Sequence, residues 1–125
     1  MLVREATPDD DAQILLLREQ YFRSLDREPY PLDGNPSWFV VENEGSIIGT
    51  FSFIDYEGER LFRDFYVADK TAIPFIQNHI EETAKAQGIK GLNATVDPSN
   101  IRFQHALARH NFIEVSRHYR KDLTT

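Results

Sequence analysis

The sequence contains no cysteine, one methionine and one tryptophan. The missing cysteine excludes disulfides, thiolate nucleophiles and zinc–thiolate sites from this chain. No apolar run approaches the roughly 18 residues that a membrane span needs. The opening stretch MLVREATPDDD is charged, which is not the pattern of a signal peptide. We therefore expect a soluble, cytoplasmic protein with no membrane partner.

Positive charge is also in deficit, because the formal net charge is -6. Non-specific nucleic-acid binding needs a positive surface that displaces counterions, so we expect no nucleic-acid partner. An acidic surface suits a cationic substrate or partner, and it also serves solubility alone. The 125 residues are 41% hydrophobic, which predicts a single domain over residues 1–125 with a buried core.

Apolar periodicity and turn residues predict the order β-α-β-β-β-α-β-α-β. This order favours an α/β fold with a mixed, mostly antiparallel sheet flanked by helices. Residues 26–37, rich in proline, are predicted to form a long loop that borders a site. The six strands are predicted at residues 2–6, 38–42, 46–54, 60–67, 91–96 and 111–123.

The fourth predicted strand contains several of the candidate site residues. Simple alternation places Phe62, Asp64 and Tyr66 on one face of this strand and Phe65 and Val67 on the other. The helix that follows shows an isoleucine stripe and ends before Gly88, a residue preferred just past a helix C-terminus. The last helix is predicted to begin at a cap formed by Ser99 or Asn100.

The order of elements and several stretches resemble the GNAT superfamily of acyl-CoA-dependent N-acetyltransferases. VREATPDD is similar to the first strand and helix start of this family, and WFVVENEGSIIGTFSF is similar to its middle hairpin. FYV resembles the end of its fourth strand, and NIRFQHALARHNF resembles its final helical segment. The resemblance covers nearly the whole chain and implies the acyl-CoA N-acyltransferase fold.

The resemblance also implies where acetyl-CoA would bind as cosubstrate. In this family a backbone N–H of the fourth strand binds the thioester carbonyl, here near Tyr66 and Val67. The following turn usually contains glycines, and its N–H groups hold the diphosphate. The cofactor-binding residues implied by this correspondence are Phe65, Tyr66, Val67, Lys70, Thr71, Ala72 and Asn100.

Two features depart from the family pattern. The turn ADKTA has no glycine, and Pro74 removes one N–H near the helix start. Lys70 and Thr71 would then supply a charge and a hydroxyl to a weaker, less directional phosphate site. Leu107 stands where many members place a tyrosine that protonates the leaving thiolate. Asn111 replaces the glycine of a Gly-Phe pair, which is acceptable because asparagine tolerates the left-handed conformation.

The candidate catalytic residues are Asp64, Tyr66 and Glu59. Asp64 or Glu59 could take a proton from the amine, and Tyr66 or Tyr119 could donate one. The structural alternatives stay open: Asp64 could pair with an arginine or be exposed, and a tyrosine hydroxyl could simply be satisfied while the ring packs. The four histidines show no metal-binding spacing, so we expect no metal.

The stretch RHYRK at residues 117–121 is the one basic cluster. Together with Arg102 and Arg109 it could contact the 3′-phosphate of CoA or an acidic partner, or it could protect a solvated edge strand. An edge strand of this kind can also pair with a second copy of the chain, which makes a homodimer one outcome.

Three functional hypotheses follow. The first is an N-acetyltransferase that moves an acetyl group from acetyl-CoA to an amine of a small molecule or protein. The second is a non-catalytic GNAT-like binding module, of the small degenerate kind that phages also encode, acting through a protein partner. The third is an acyl-binding or substrate-binding domain that uses the cleft without CoA. Fold alone does not decide between them.

Overall fold

The computed structural model describes residues 1–27, 36–96, 98–115, 121 and 123. The chain divides into two compact units, Met1–Thr95 and Val96–Thr125. Most of the predicted loop 26–37, namely residues 28–35, lies outside the described residues, and so do 117–120 of the basic cluster, including Tyr119.

The first unit contains a five-stranded sheet and two α-helices. The strands lie side by side in chain order, with three antiparallel pairings and a final parallel one between β4 and β5. The α/β fold with a mixed, mostly antiparallel sheet is therefore confirmed. The elements are β1 (Leu2–Glu5), α1 (Asp11–Ser24), β2 (Ser37–Asn43), β3 (Ser46–Tyr56), β4 (Glu59–Val67), α2 (Ile73–Ala86) and β5 (Gly91–Ala94).

The two helices cover opposite faces of the sheet. On the α1 face, Leu17 and Phe22 pack against Tyr66 of β4. On the α2 face, Ile76 belongs to a larger apolar cluster that contains Phe51 of β3. Side chains of a strand alternate between the two faces, except where the register between β2 and β3 shifts and Ile48 is the extra residue.

One predicted feature of β4 is wrong, because the strand contains a β-bulge. Ser52 pairs with Asp64 while the next residue, Phe53, pairs with Phe62, so Arg63 is the extra residue. Ser52 and Phe53 are consecutive and point to opposite faces, and their partners do the same. Phe62 therefore joins the α2-face cluster, whereas Asp64 and Tyr66 lie on the α1 face.

The helix ends follow the sequence signals. Gly88, just past α2, has a φ of 73°, and Ile89 N–H donates to the Ala84 carbonyl across it at 2.9 Å. This is the arrangement in which a left-handed residue satisfies the last carbonyls of a helix.

The second unit contains α3 (Ile101–Arg109), which begins as predicted at Asn100. The Asn100 side chain accepts the Phe103 N–H at 3.1 Å. Asn111 takes the left-handed conformation with a φ of 67°, as its substitution for glycine predicted.

The predicted closing strand at 111–123 is not found in its described portion. Residues 111–115 are not in a strand, and Ile113 and Val115 are exposed by 81% and 77%. With these two side chains exposed, the apolar alternation of the segment does not bury a face, which is what stabilises a strand. Residues 116–120 lie outside the described residues.

An ionic cluster at Arg4 joins β1, β2 and the turn before α1. The Arg4 guanidinium donates to both Asp10 oxygens, at 2.8 and 3.0 Å, and to Glu42 at 2.6 and 2.9 Å. Asp10 also accepts the Thr7 N–H at 2.7 Å. Arg4, and after it Thr7, holds the pKa of Asp10 well below its ordinary value.

We predict that Asp10→Asn lowers the melting temperature by a few degrees at pH 7, because it removes a charge that the folded state stabilises. The lowered pKa means that this contribution is fully present above about pH 3.9, the ordinary carboxyl pKa, and decreases as the pH falls below it. Thermal melts at pH 7 and pH 3 measure the effect. Asp9→Asn, an exposed neighbour in the same turn, is the control, and an equal loss in both variants would contradict the prediction.

Candidate acyl-transfer site

β5 pairs with only the first half of β4. β5 pairs with residues Glu59 to Phe62 of β4, so the segment from Arg63 to Val67 extends past the paired register. Along its other edge β4 stays paired with β3 as far as Val67. We use the term opening for the edge of β4 that faces away from β3 beyond Phe62, where the pairing with β5 has ended. It lies at the C-terminal end of β4.

The hydrogen bond of the Ala68 N–H shows in which direction the preceding Val67 N–H points. The Ala68 N–H donates to the Ile48 carbonyl of β3 at 2.8 Å. Because the N–H groups of a strand alternate between its two sides, Val67 N–H points away from β3, toward the opening. Tyr66 N–H points toward β3, so Val67 is the candidate donor to a carbonyl lodged in this opening.

The bulge brings a polar cluster together on the α1 face. Both carboxyl oxygens of Asp64 accept hydroxyl hydrogen bonds, one from Ser52 and one from Tyr66, the latter at 2.6 Å. Asp64 is 6% exposed, Tyr66 2% and Ser52 0%. Asp64 is therefore neither exposed nor merely adjacent to apolar rings, and its two hydroxyl donors hold its orientation.

Aromatic rings of α1 cover this cluster. The Tyr21 ring lies 4.9 Å from the Tyr66 ring, and the Phe22 ring lies 6.1 Å from it, between ring centroids. Such contacts fix the Tyr66 ring, whose hydroxyl then has one direction toward Asp64. Tyr66 thus connects the apolar packing of α1 with the carboxylate, one residue before the outward-facing Val67 amide.

The turn after β4 closes on itself. Thr71 donates both its N–H and its hydroxyl to the Asp69 carboxylate, at 3.0 and 2.7 Å. The Ala72 N–H donates to the Asp69 carbonyl at 3.1 Å, and the Ile73 N–H donates to the Lys70 carbonyl. The Thr71 hydroxyl, followed by the Thr71 N–H, lowers the pKa of Asp69.

These contacts do not fit a diphosphate. Anion binding at a helix start requires N–H groups without partners, and the N–H groups of residues 71–73 are engaged within the turn. Pro74 at the start of α2 has none. Lys70 is exposed, and the Ala72 side chain is fully buried in the core. The Val67 amide thus faces away from β3, whereas the amides of residues 71–73 already have acceptors within the turn.

Glu59 lies at the opposite end of β4. A strand rises about 3.3 Å per residue, so roughly 20 Å of strand separates Glu59 from Tyr66. Its carboxylate lies 2.6 Å from where a Cβ on Gly91 would be, and it accepts from Asn93 at 3.4 Å. The structure therefore does not bring Glu59 together with Asp64 and Tyr66.

Of the other residues implied by the family resemblance, Phe65 and Val67 are partly buried against the α2-face cluster. Asn100 caps α3 in the second unit. Sequence reasoning missed Ser52 and Asp69. The stretch Asp-Lys-Thr is a recognisable signal for a side chain that caps its own turn, but nothing local pointed to Ser52, because its role depends on the register of β3 with β4.

A cavity of about 80 Å³ lies on the α2 face, lined by phenylalanines of β2, β3 and β4 and by Arg60. Arg60 is held by Asp55 at 2.8 Å and by Gln87 at 2.5 Å. The cavity borders the paired half of β4, so it is separate from the opening. Among the described residues, no three His, Asp or Glu side chains are grouped to hold a metal ion. None of the described helices is long and apolar enough to cross a membrane.

No protein-family model and no curated protein sequence matches this chain. Solved structures do match. An acetyltransferase of the GNAT family from Staphylococcus aureus matches with a TM-score of 0.74 and 15% identity, over 93% of this chain and 86% of that one. An aminoglycoside N-acetyltransferase in complex with CoA matches with a TM-score of 0.67 and 15% identity, over 97% and 99%.

The BH1408 protein from Bacillus halodurans, solved as a tetramutant, matches with a TM-score of 0.74 and 16% identity, over 98% of this chain and 100% of that one. These likenesses extend over nearly the whole chain. The protein therefore has the GNAT acyltransferase fold, as the sequence resemblance implied.

We predict that Ser52→Ala lowers the free energy of unfolding by about 1.5–3 kcal/mol, the range for a hydrogen bond to a charged group. Urea unfolding measures it. Thr50→Val is the matched control, because Thr50 lies on the same face and donates to the neutral Phe39 carbonyl at 2.8 Å. We expect a smaller loss for this control, about 0.5–1.5 kcal/mol. A loss in Ser52→Ala no larger than in the control would contradict the prediction.

Proposed function

We propose that this protein is an N-acyltransferase that moves an acetyl group from an acyl thioester, such as acetyl-CoA, to an amine. The observation that carries the proposal is the opening beside β4, into which Val67 N–H points. A donor positioned in this way stabilises the negative charge that develops on a thioester oxygen during attack. The fold of the structural neighbours supports the same reaction class.

The reaction needs one bond made and one broken. The amine nitrogen attacks the thioester carbon, the C–N bond forms, and the C–S bond breaks. A neutral amine loses one proton, which is balanced by the one that the departing sulfur gains as a thiol, and an acceptor nitrogen that is protonated first releases a further proton to solvent. Holding the amine in line with the carbonyl supplies much of the acceleration in such reactions.

Asp64 and Tyr66 are the proposed proton acceptor and relay. The Tyr66 hydroxyl donates to Asp64 at 2.6 Å, so it can pass its proton to the carboxylate while taking one from the amine, directly or through a water. Tyr66 immediately precedes Val67, which keeps this relay close to the proposed carbonyl site. Leu107 has no proton to give, so the leaving thiolate would be protonated by another group or by water.

The acceptor is proposed to be a cationic amine. The net charge of -6 attracts cations, and two structural neighbours are aminoglycoside acetyltransferases, one of them in complex with sisomicin. Aminoglycosides and other polyamines are therefore the first acceptors to test. The assay incubates the protein with an amine panel and either acetyl-CoA or acetyl-pantetheine, and detects acetylated amine by mass spectrometry. No amide product from either donor would contradict the proposal.

We predict that Asp64→Asn lowers kcat by about 100-fold, within the range that general acid–base groups contribute. The substitution keeps the shape of the side chain but removes its ability to accept the proton. Circular dichroism checks that the variant folds, and Ser52→Ala, which leaves the carboxylate in place, is the companion variant. An unchanged kcat in Asp64→Asn would remove Asp64 from the mechanism.

A second candidate function is a non-catalytic GNAT-like module, of the kind that phages also encode, that acts through a protein partner. The specific observation in its favour is the closed turn at Asp69, whose carboxylate and backbone engage the amides that a CoA diphosphate would need. A ligand at 100 times its dissociation constant adds about 2.7 kcal/mol to stability. Melting temperatures unchanged by millimolar acetyl-CoA and acetyl-pantetheine, together with no amide product, would favour the module.

A further inference from the structure

We infer that the acyl donor is recognised as an acyl-pantetheine thioester, and that the nucleotide diphosphate of CoA contributes nothing to its binding. This inference rests on the proposed acyl transfer and narrows its donor. The two ends of the donor site are the turn at residues 69–74 and the opening beside β4, and they differ in the availability of their backbone amides.

The backbone amides of the turn already have hydrogen-bond acceptors. Three successive N–H groups, those of Thr71, Ala72 and Ile73, already donate within the turn, and Pro74 has no N–H. A diphosphate oxygen could reach these groups only if the short 3₁₀ turn Lys70–Ala72 unwound. Besides lacking glycine, the turn thus supplies its own acceptors to these amides, namely the Asp69 carboxylate and the carbonyls of Asp69 and Lys70.

The turn also carries a negative charge at the position where an anion would bind. The Asp69 carboxylate accepts the two Thr71 hydrogen bonds at the position where an anion would bind at the helix start. Its pKa lies below the ordinary value because of these bonds, so it is ionised at neutral pH. A phosphate brought here meets a fixed negative charge, against which the exposed Lys70 offers one positive charge.

The opening at the thioester end, in contrast to the turn, has a backbone amide that faces into it. Val67 N–H still points into it, and the β5 register still ends at Phe62. The chain therefore has the amide proposed to bind the reacting carbonyl, and the amides of residues 71–73 are not available to a diphosphate. A pantetheine thioester has the first requirement and lacks the second, whether it is free or attached to a carrier protein.

The experiment compares donors on the full chain with one accepted amine. We expect kcat/KM for acetyl-CoA and acetyl-pantetheine to agree within about threefold. A working cradle would favour acetyl-CoA by about 30-fold or more, because one hydrogen bond to a charged group changes an equilibrium by roughly ten- to a hundredfold. A preference of that size would overturn the inference and leave the proposed function intact. Absence of product from both donors would instead contradict the proposed function.

A third donor, acetyl-phosphopantetheine attached to a carrier protein, distinguishes the two sources. A higher kcat/KM for it than for acetyl-pantetheine identifies the carrier-bound arm, and an equal or lower value identifies the free thioester. Either result is consistent with the inference, provided that acetyl-CoA holds no advantage over acetyl-pantetheine.

A variant tests the cause. Asp69→Gly removes the carboxylate and frees the Thr71 N–H, so we expect kcat/KM for acetyl-CoA to rise about tenfold, while that for acetyl-pantetheine stays within about twofold. Glu82→Gln, which removes an exposed charge later in α2, is the control and should change neither value. Calorimetric titration with CoA gives a readout independent of turnover. An equal change for both donors, or no change for acetyl-CoA, would contradict the role given to Asp69.

Discussion

The account depends on the unequal pairing of β4. One edge of this strand pairs with β3 from Glu59 to Val67, interrupted by the bulge at Arg63, while the other edge meets β5 only from Glu59 to Phe62. The first pairing holds the strand rigid, and the second leaves its C-terminal half beside an opening. A backbone amide such as Val67 N–H is thereby held in a fixed direction without needing β5 as its acceptor.

Because of the bulge at Arg63, Phe62 before it and Asp64 and Tyr66 after it face opposite sides of the sheet. Before it, Phe62 packs with the aromatic and aliphatic residues of the α2 face. After it, Asp64 and Tyr66 turn to the α1 face, where Ser52 and the rings of α1 enclose them. One extra residue therefore shifts the register with β3 and places a buried carboxylate on the α1 face, while β4 continues to pair with β3 on both sides of the bulge. Bulges beside active sites commonly redirect side chains in this way.

Much of the fold could be predicted from the sequence, because the signals for it are local. Apolar periodicity located every helix and the first five strands, and Gly88 and Asn111 marked left-handed positions. The bulge could not be predicted, since strict alternation has no place for an extra residue. The partnership of Ser52 with Asp64 depends on that register and was hidden for the same reason. Residues 111–115, the described start of the predicted closing strand, are not in a strand, since apolar residues in a segment do not by themselves bury a face against a sheet.

The two halves of the candidate donor site differ in how they could be anticipated. The missing glycines were visible in the sequence, and they indicated a weak phosphate site. The structure shows a stronger effect, since Asp69 and the turn backbone occupy the amides of residues 71–73. Substitutions in a loop can thus close an anion site by supplying internal acceptors, a change that depends on backbone geometry as well as composition.

Amide hydrogen exchange along β4, followed residue by residue by NMR, tests the central claim most directly. The Ala68 amide is bonded to the Ile48 carbonyl, and the alternation of the strand gives Tyr66 N–H the same direction. The account predicts slow exchange at Tyr66 and Ala68 and fast exchange at Val67 in the absence of ligand. Protection of Val67 equal to that of its two neighbours would contradict it, because the amide would then have a partner where the thioester is proposed to bind.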